Sequence, residues 1–236
     1  MSGPIVPYTP ILRRYKEVCD LDDARRFDLA QKLNREPGLL AADFSATVAA
    51  LEVGYDSQAS FRPKHNEPRV PAQQGIANGP DLAWYMYRQG KLEVENEPAL
   101  AVEYAEYELS VLSTRGGAVF DAPVHGATER NERPGSAGNP LKADLVLVNA
   151  DPADRMPVLA EVKVKRDKEP FSALVQLLAY IAHLASPSQY ARLRAHLDGA
   201  GFPAANPARF DGYLLSTSSE RAQTRGSTSC SWRASA

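Results

Sequence analysis

The fold is decided by residues 141–184, which contain LKADLVLV (141–148), PVLAEVKVK (157–165) and PFSALVQLLAYIAHL (170–184). The first two segments are short apolar runs separated by the turn-like residues 149–152, and this pattern predicts two strands. The third segment has apolar residues at helical spacing and predicts a helix. Strands and helices in this order indicate an α/β sandwich, in which helices cover a central sheet.

Three charged side chains interrupt the two predicted strands. Asp144 lies within the first strand, while Glu161 and Lys163 alternate with apolar residues in the second. Because strand side chains alternate between the faces, Glu161 and Lys163 are expected on one face. If the two strands are neighbours, Asp144 lies beside Glu161, and adjacent carboxylates repel unless a cation or a proton lies between them. Such an oxygen-only pair suits Mg²⁺, which takes one or two carboxylates and retains several waters.

A lysine beside this carboxylate pair extends the predicted chemistry. The ammonium of Lys163 can reach the same site and hold a water or stabilise charge on a phosphate. A metal ion that activates water, combined with a cation, fits phosphodiester hydrolysis. On its own, Glu-x-Lys on a strand is most often a solvated face, so the inference depends on its conjunction with Asp144 and with the following helix.

The arrangement resembles the PD-(D/E)XK nuclease superfamily: Asp144, a gap of 16 residues, and then EVK at 161–163. On the next helix, Gln176 and Tyr180 are four residues apart and share a face. This Gln-x-x-x-Tyr resembles the RecB-like exonuclease branch. The residue before Asp144 is Ala143 instead of proline, which weakens the motif and leaves the chemistry intact.

The resemblance implies metal and catalytic roles for the matching positions. Asp144 and Glu161 would bind Mg²⁺, for which Mn²⁺ would substitute, and the Val162 carbonyl is a candidate extra ligand. Lys163 would orient or activate the attacking water.

The resemblance also implies substrate contacts. Gln176 and Tyr180 would position DNA or brace the site, and a structural role in the helix is the alternative. By their position alone, just beyond the second strand, Arg166 and Lys168 are candidate phosphate contacts, and ordinary loop charges are the alternative. His183 continues the same helical side, where a structural hydrogen-bond partner is the favoured interpretation.

The superfamily often adds a carboxylate from the first helix of its core. We predict that helix over residues 98–114, because a proline opens the segment and a glycine pair follows it. Glu108 is the preferred carboxylate, and Glu103 and Glu106 are the alternatives.

The chain divides into an N-terminal accessory region (1–97), a core (98–215) and a Ser-rich, disordered tail (216–236). The accessory region is predicted to be mainly helical over 8–53, followed by a loop and by a hairpin over 82–95, whose aromatic residues favour packing over base stacking. The restriction-endonuclease-like core is predicted to have the order helix, three strands, helix, strand. Its further elements are strands over 118–124 and 209–215 and a helix over 188–197.

Composition sets limits on function. With 27 Lys and Arg against 29 Asp and Glu, the net charge is −2, so nucleic acid would be contacted through a local basic patch or through metal ions. Two widely separated cysteines without a CxxC pair argue against a zinc site and suit a reducing cytoplasm. No signal peptide or membrane-spanning run is recognised.

Two functions follow as hypotheses. The first is a Mg²⁺-dependent deoxyribonuclease of the cytoplasm, acting in DNA repair, recombination or phage defence. The second is a catalytically inactive nuclease-fold protein that binds nucleic acid or protein. In either case residues 1–97 are a candidate surface for a partner protein or a second copy. No phosphate-binding loop or dinucleotide motif is present.

Overall fold

The computed structural model describes residues 9–54, 79–93, 101–111, 142–149, 155–164, 170–197, 201–202, 209–216 and 232–235. In these ranges the helices are α1 (Pro10–Asp20), α2 (Asp23–Arg35), α3 (Gly38–Gly54), α4 (Gly79–Tyr87), α5 (Pro170–Leu184) and α6 (Pro187–His196). The strands are β1 (Lys91–Leu92), β2 (Val102–Ser110), β3 (Lys142–Asn149), β4 (Pro157–Lys163), β5 (Arg209–Ser216) and β6 (Trp232–Ser235).

The described strands form one mixed sheet in the order β1-β2-β3-β4-β5-β6. Strands β1 to β4 are successively antiparallel, with Leu145 opposite Ala160 between β3 and β4. Strand β5 is parallel to β4, and α5 and α6 make the connection that a parallel pair requires. Strand β6 is antiparallel to β5.

Helices cover both faces of the sheet. On one face α4 packs against β2, β3 and β4, where Leu82 and Ala83 join Val158 and Val162 in one apolar cluster. On the other face α5 packs on the sheet, and α1 and α3 pack against α5. Strands β3 and β4 are thus buried on both sides, which explains their nearly continuous apolar sequences. The predicted α/β class, with helices over a central sheet, is confirmed.

The first three helices confirm the prediction of a mainly helical segment over 8–53. Helix α1 buries Ile11, Tyr15 and Val18 on one stripe, in agreement with the periodicity of the sequence. A long-range hydrogen bond links α1 to α3, in which the amide of Ile11 donates to Thr47 Oγ1 at 3.1 Å. Helix α1 is therefore an integral part of the packed core.

The predicted helix over 98–114 is wrong, because residues 102–110 form strand β2. The register shifts between Tyr104 and Glu106, which marks a β-bulge. After this shift Tyr104 and Tyr107, three residues apart, both pack with the cluster on the α4 face. The bulge therefore interrupts the alternation of a regular strand, and the proline and the glycine pair that predicted a helix do not distinguish the two structures.

The predicted hairpin over 82–95 is half wrong. Its first arm is helical, in α4, and buries Leu82 and Ala83 while half-burying Met86 and Tyr87, at helical spacing. Its second arm is β1, which pairs with β2 instead of with the first arm. The turn between them contains Gly90, whose φ of 79° favours glycine.

Other predicted elements have mixed outcomes. The strands over 141–148, 157–165 and 209–215 and the helices over 170–184 and 188–197 are confirmed within a few residues by β3, β4, β5, α5 and α6. The strand over 118–124 lies outside the described residues. The disordered tail needs a correction at residues 232–235, which form β6 along the open edge of β5. An edge strand pairs through its backbone and so needs no apolar pattern.

No single helix in the described ranges is long and apolar enough to cross a membrane; α5 and α6 reach that length only as a pair bent by 91°.

Candidate active site

Asp144 is located where β3 and β4 stop pairing. The last pair is Leu145 with Ala160. One residue nearer the N-terminus of β3, the Asp144 carboxylate takes the place of a backbone carbonyl as the hydrogen-bond acceptor for β4. Its Oδ2 accepts the backbone N–H of Val162 at 2.8 Å. This hydrogen bond ties Asp144 to the peptide next to Glu161, so the two carboxylates lie within electrostatic range.

Glu161 and Lys163 form an ion pair at the end of β4. Lys163 Nζ lies 2.9 Å from Glu161 Oε1, and the two side chains are 15% and 3% exposed respectively. The shared face predicted by strand alternation is therefore present, but it points into the protein, beneath α5. A buried ion pair contributes little net stability, since desolvation offsets the attraction.

Helix α5 adds two polar side chains to the pair. Gln176 Oε1 accepts a hydrogen bond from Lys163 Nζ at 3.4 Å, and Gln176 Nε2 donates to the hydroxyl oxygen of Tyr180. Tyr180 is fully buried. A continuous polar chain thus runs from Glu161 through Lys163 and Gln176 to Tyr180, and it fixes the direction of the Lys163 ammonium.

The electrostatics of the site centre on Glu161. Burial, and then the neighbouring Asp144 carboxylate, raise the pKa of Glu161 from 4.5 to about 8, while Lys163 and the Tyr180 hydroxyl act in the opposite direction. Burial followed by Glu161 and Asp144 also raises the pKa of Tyr180 well above its ordinary value. The buried site therefore favours a proton or a cation near Glu161.

One oxygen of Glu161 lacks a donor. Within the described part of the chain, Oε2 has no hydrogen-bond partner, although it is inaccessible to solvent. A buried acceptor left unsatisfied costs about 1–3 kcal/mol. An oxygen-preferring cation near Oε2 and Asp144 would remove this cost, so the donor set fits Mg²⁺ or Mn²⁺. No cluster of three or more His, Cys, Asp and Glu side chains suited to a metal is found among the residues described.

Glu108, the preferred additional carboxylate, lies on β2 and not on a helix. The register pairs Tyr107 with Leu145 and Leu109 with Ala143, so position 108 comes level with Asp144. The side chain of Glu108 is outside the described part of the structure. Strand β2 therefore brings a third acidic position beside Asp144 and Glu161, where the sequence had predicted a helix.

The two alternative carboxylates have other partners. Glu103 Oε2 forms an ion pair with Arg155 at 2.6 Å, and Glu106 Oε2 lies 3.4 Å from His196 Nε2. The two candidate phosphate contacts, Arg166 and Lys168, lie outside the described residues.

His183 has the structural role that was favoured. Its Nδ1 donates to the Ala179 carbonyl at 2.7 Å, which leaves the neutral Nε2 to accept the Thr9 hydroxyl at 3.2 Å. Burial lowers the pKa of His183 to about 4, so the ring is neutral near pH 7.

Tyr15 and Cys19 of α1 belong to the surroundings of the site and were missed from the sequence. Tyr15 raises the pKa of Tyr180, and Lys163 acts to lower the pKa of the Cys19 thiol, which burial raises overall. The apolar periodicity of residues 8–53 predicts Tyr15 only as a core residue of a helix. No local signal indicates that α1 lies beside residues some 150 positions away.

Comparison of the chain with protein-family models, with curated proteins and with solved structures gave no significant match.

Proposed function

We propose that the protein is a Mg²⁺-dependent nuclease that hydrolyses phosphodiester bonds of DNA. The observation that carries this proposal is the convergence of Asp144, Glu161 and Lys163, with a buried carboxylate oxygen that has no described donor. Repulsion between the two carboxylates favours uptake of a cation. The adjacent ammonium of Lys163 supplies a positive group for a phosphate.

The architecture supports a restriction-endonuclease-like core. Three antiparallel strands, β2 to β4, are followed by α5 and by β5, which is parallel to β4. Helix α4 precedes the strands, and we propose it as the first helix of this core instead of residues 98–114. The motif and the order of the elements both resemble that superfamily. A fold alone does not define a function, so the proposed activity rests on the site residues.

The chain provides a defined ligand set for the ion. Asp144 and Glu161 would hold it, with Glu108 and the Val162 carbonyl as further candidate ligands. When bound, Mg²⁺ would polarise the phosphate and lower the pKa of a coordinated water. Ion binding requires ionised Glu161, so uptake of metal is coupled to release of the proton that burial favours.

Lys163 is the proposed catalytic cation. Its ammonium is held between Glu161 and Gln176, and Tyr180 in turn holds Gln176. From this position Lys163 orients the attacking water and stabilises negative charge on the phosphate. Gln176 and Tyr180 then act as positioning residues for the lysine. Arg166 and Lys168 are proposed contacts to the DNA backbone.

The direct test combines binding and cleavage. We expect Mn²⁺ to bind the wild-type protein in a calorimetric titration, and Mg²⁺ or Mn²⁺ to support cleavage of DNA. Glu161→Ala should abolish both binding and cleavage, whereas Lys163→Ala should abolish cleavage and retain binding. Undiminished cleavage by both folded variants would refute the assigned site.

The exposed Lys91–Glu93 pair provides a matched control. It has the same residue types and spacing, in reverse order, with side chains 64% and 66% exposed. Lys91→Ala and Glu93→Ala should leave metal binding and cleavage unchanged. A comparable loss in these variants would mean that the assay responds to general charge.

A catalytically inactive nuclease-fold protein is the second candidate. The observation that favours it is the ion pair itself, since Lys163 already offsets one oxygen of Glu161 without any ion. Such a protein would bind nucleic acid, a partner protein or a second copy through residues 1–97. DNA binding that resists EDTA, with no Mn²⁺ uptake and no turnover, would favour this function over the nuclease.

A further inference from the structure

Gly79, the first residue of α4, lies close to the carbonyl group of Val162, the residue between Glu161 and Lys163. A Cβ atom at position 79 would stand 2.9 Å from the carbonyl oxygen of Val162 and 4.0 Å from its carbonyl carbon. These are backbone atoms, so no side-chain rotation relieves the contact. A side chain at position 79 therefore requires either α4 or the end of β4 to move.

The local backbone conformation does not explain the glycine. Gly90 and Gly201 are the described glycines with positive φ, and Gly79 is not among them. The requirement at position 79 is close approach of two backbones, a separate use of glycine. Gly38, the first residue of α3, has no atom within 4 Å of an added Cβ and provides the comparison.

The backbone of Val162 connects the groups of the candidate site. Its N–H donates to Asp144 Oδ2 at 2.8 Å, and its carbonyl oxygen lies 2.9 Å from the point where a Cβ of residue 79 would stand. Its neighbours in the chain are Glu161 and Lys163. The Val162 side chain packs into the α4 cluster. A displacement of the Val162 backbone therefore disturbs the hydrogen bond to Asp144 and shifts the backbone at Glu161 and Lys163.

We propose that Gly79 is a positioning residue of the candidate metal site: by letting α4 approach β4, it fixes the backbone of Val162 and thereby the arrangement of Asp144, Glu161 and Lys163. The inference rests on the proposed function and assigns to the N-terminal region, through α4, a direct part in building the site. Residues that orient metal ligands without touching the ion typically change metal affinity about 10–100-fold when altered.

The test compares Gly79→Ala with Gly38→Ala in the full chain, by calorimetric titration with Mn²⁺ at about pH 8. We expect the affinity to fall about 10–100-fold in Gly79→Ala and to stay within about twofold in Gly38→Ala. Unchanged affinity in Gly79→Ala, or equal losses in both variants, would overturn the proposal.

A metal-free measurement separates this inference from the proposed function. If the wild-type protein takes up no Mn²⁺, the proposed function fails, and Gly79 is then tested in EDTA through the hydrogen bond between the Val162 amide and Asp144. We compare hydrogen exchange of that amide in wild type, Gly79→Ala and Gly38→Ala. Faster exchange in Gly79→Ala alone supports a positioning role, whereas equal exchange in all three proteins contradicts it.

The measurement remains informative if Gly79→Ala is unfolded at pH 8. Glu161 is protonated at about pH 5, where its burial favours the fold. The amide proton of Val162, which reports its hydrogen bond to Asp144, is then followed by NMR at that pH. A resonance displaced in Gly79→Ala and unmoved in Gly38→Ala supports the proposal, and an undisplaced resonance refutes it.

Discussion

Replacing Glu161 by glutamine is expected to stabilise the metal-free protein, by an amount that increases with pH. The pKa of Glu161 is about 8 in the fold, against 4.5 for an ordinary glutamate. Because the folded-state pKa is raised, the stability associated with the protonated form is fully present below pH 4.5. It is lost progressively as the pH rises to about 8.

The magnitude follows from the width of that range. Each pH unit removes about 1.4 kcal/mol of stability while the unfolded state is ionised and the folded state is not. At pH 7 the expected cost of Glu161 is about 3 kcal/mol, which is a large part of the roughly 5–15 kcal/mol that stabilises an ordinary domain. Glutamine resembles the protonated acid in shape, and its amide oxygen can still accept from Lys163.

The assay is urea unfolding of wild type and Glu161→Gln in EDTA at about pH 5, 6, 7 and 8. The difference in unfolding free energy should be small near pH 5 and should increase with a slope approaching 1.4 kcal/mol per pH unit. His183 is present in both proteins, so its own titration cancels in the difference. A difference that does not change with pH, or a variant less stable than wild type at pH 8, would refute the assignment of Glu161 as a buried, repelled carboxylate.

Three further predictions follow from individual contacts. His183 is neutral in the fold, with its pKa lowered to about 4, so the stability that it contributes above pH 6.5 is lost as the pH falls towards 4, by up to about 3 kcal/mol. A ring that titrates near pH 6.5 in NMR spectra would contradict this burial. Gly212→Ala should cost about 1–3 kcal/mol in urea unfolding, since the added Cβ would lie 3.0 Å from Leu177 Cδ2, and a neutral result would show that α5 shifts freely. Tyr180→Phe should raise the pH at which Glu161 titrates, because the hydroxyl lowers the pKa of Glu161; a titration at unchanged pH in the unfolding assay would argue against that contact.

The sequence determined the central elements by itself. Strands β3 and β4 and helix α5 were predicted close to their observed bounds, because a sheet buried on both faces and an amphipathic core helix impose strong local patterns. Strand alternation placed Glu161 and Lys163 on one face of β4, and a spacing of four residues brought Gln176 and Tyr180 to one side of α5. These relations span a few residues, and backbone geometry alone fixes them.

Only the tertiary structure decided which faces became interior. Pairing with β1 and β3 made residues 102–110 a strand where a proline and a glycine pair had suggested a helix, and α4 packs on the sheet as a helix where aromatic residues had suggested a strand. A Glu-x-Lys face is ordinarily solvated, but α5 covers it here, and the Glu161 side chain is left 3% exposed. Its raised pKa, the neighbouring Tyr15 and the close approach of Gly79 all depend on segments far apart in sequence. Long-range packing determines the dielectric environment of a charge and the groups around it, and local periodicity predicts neither.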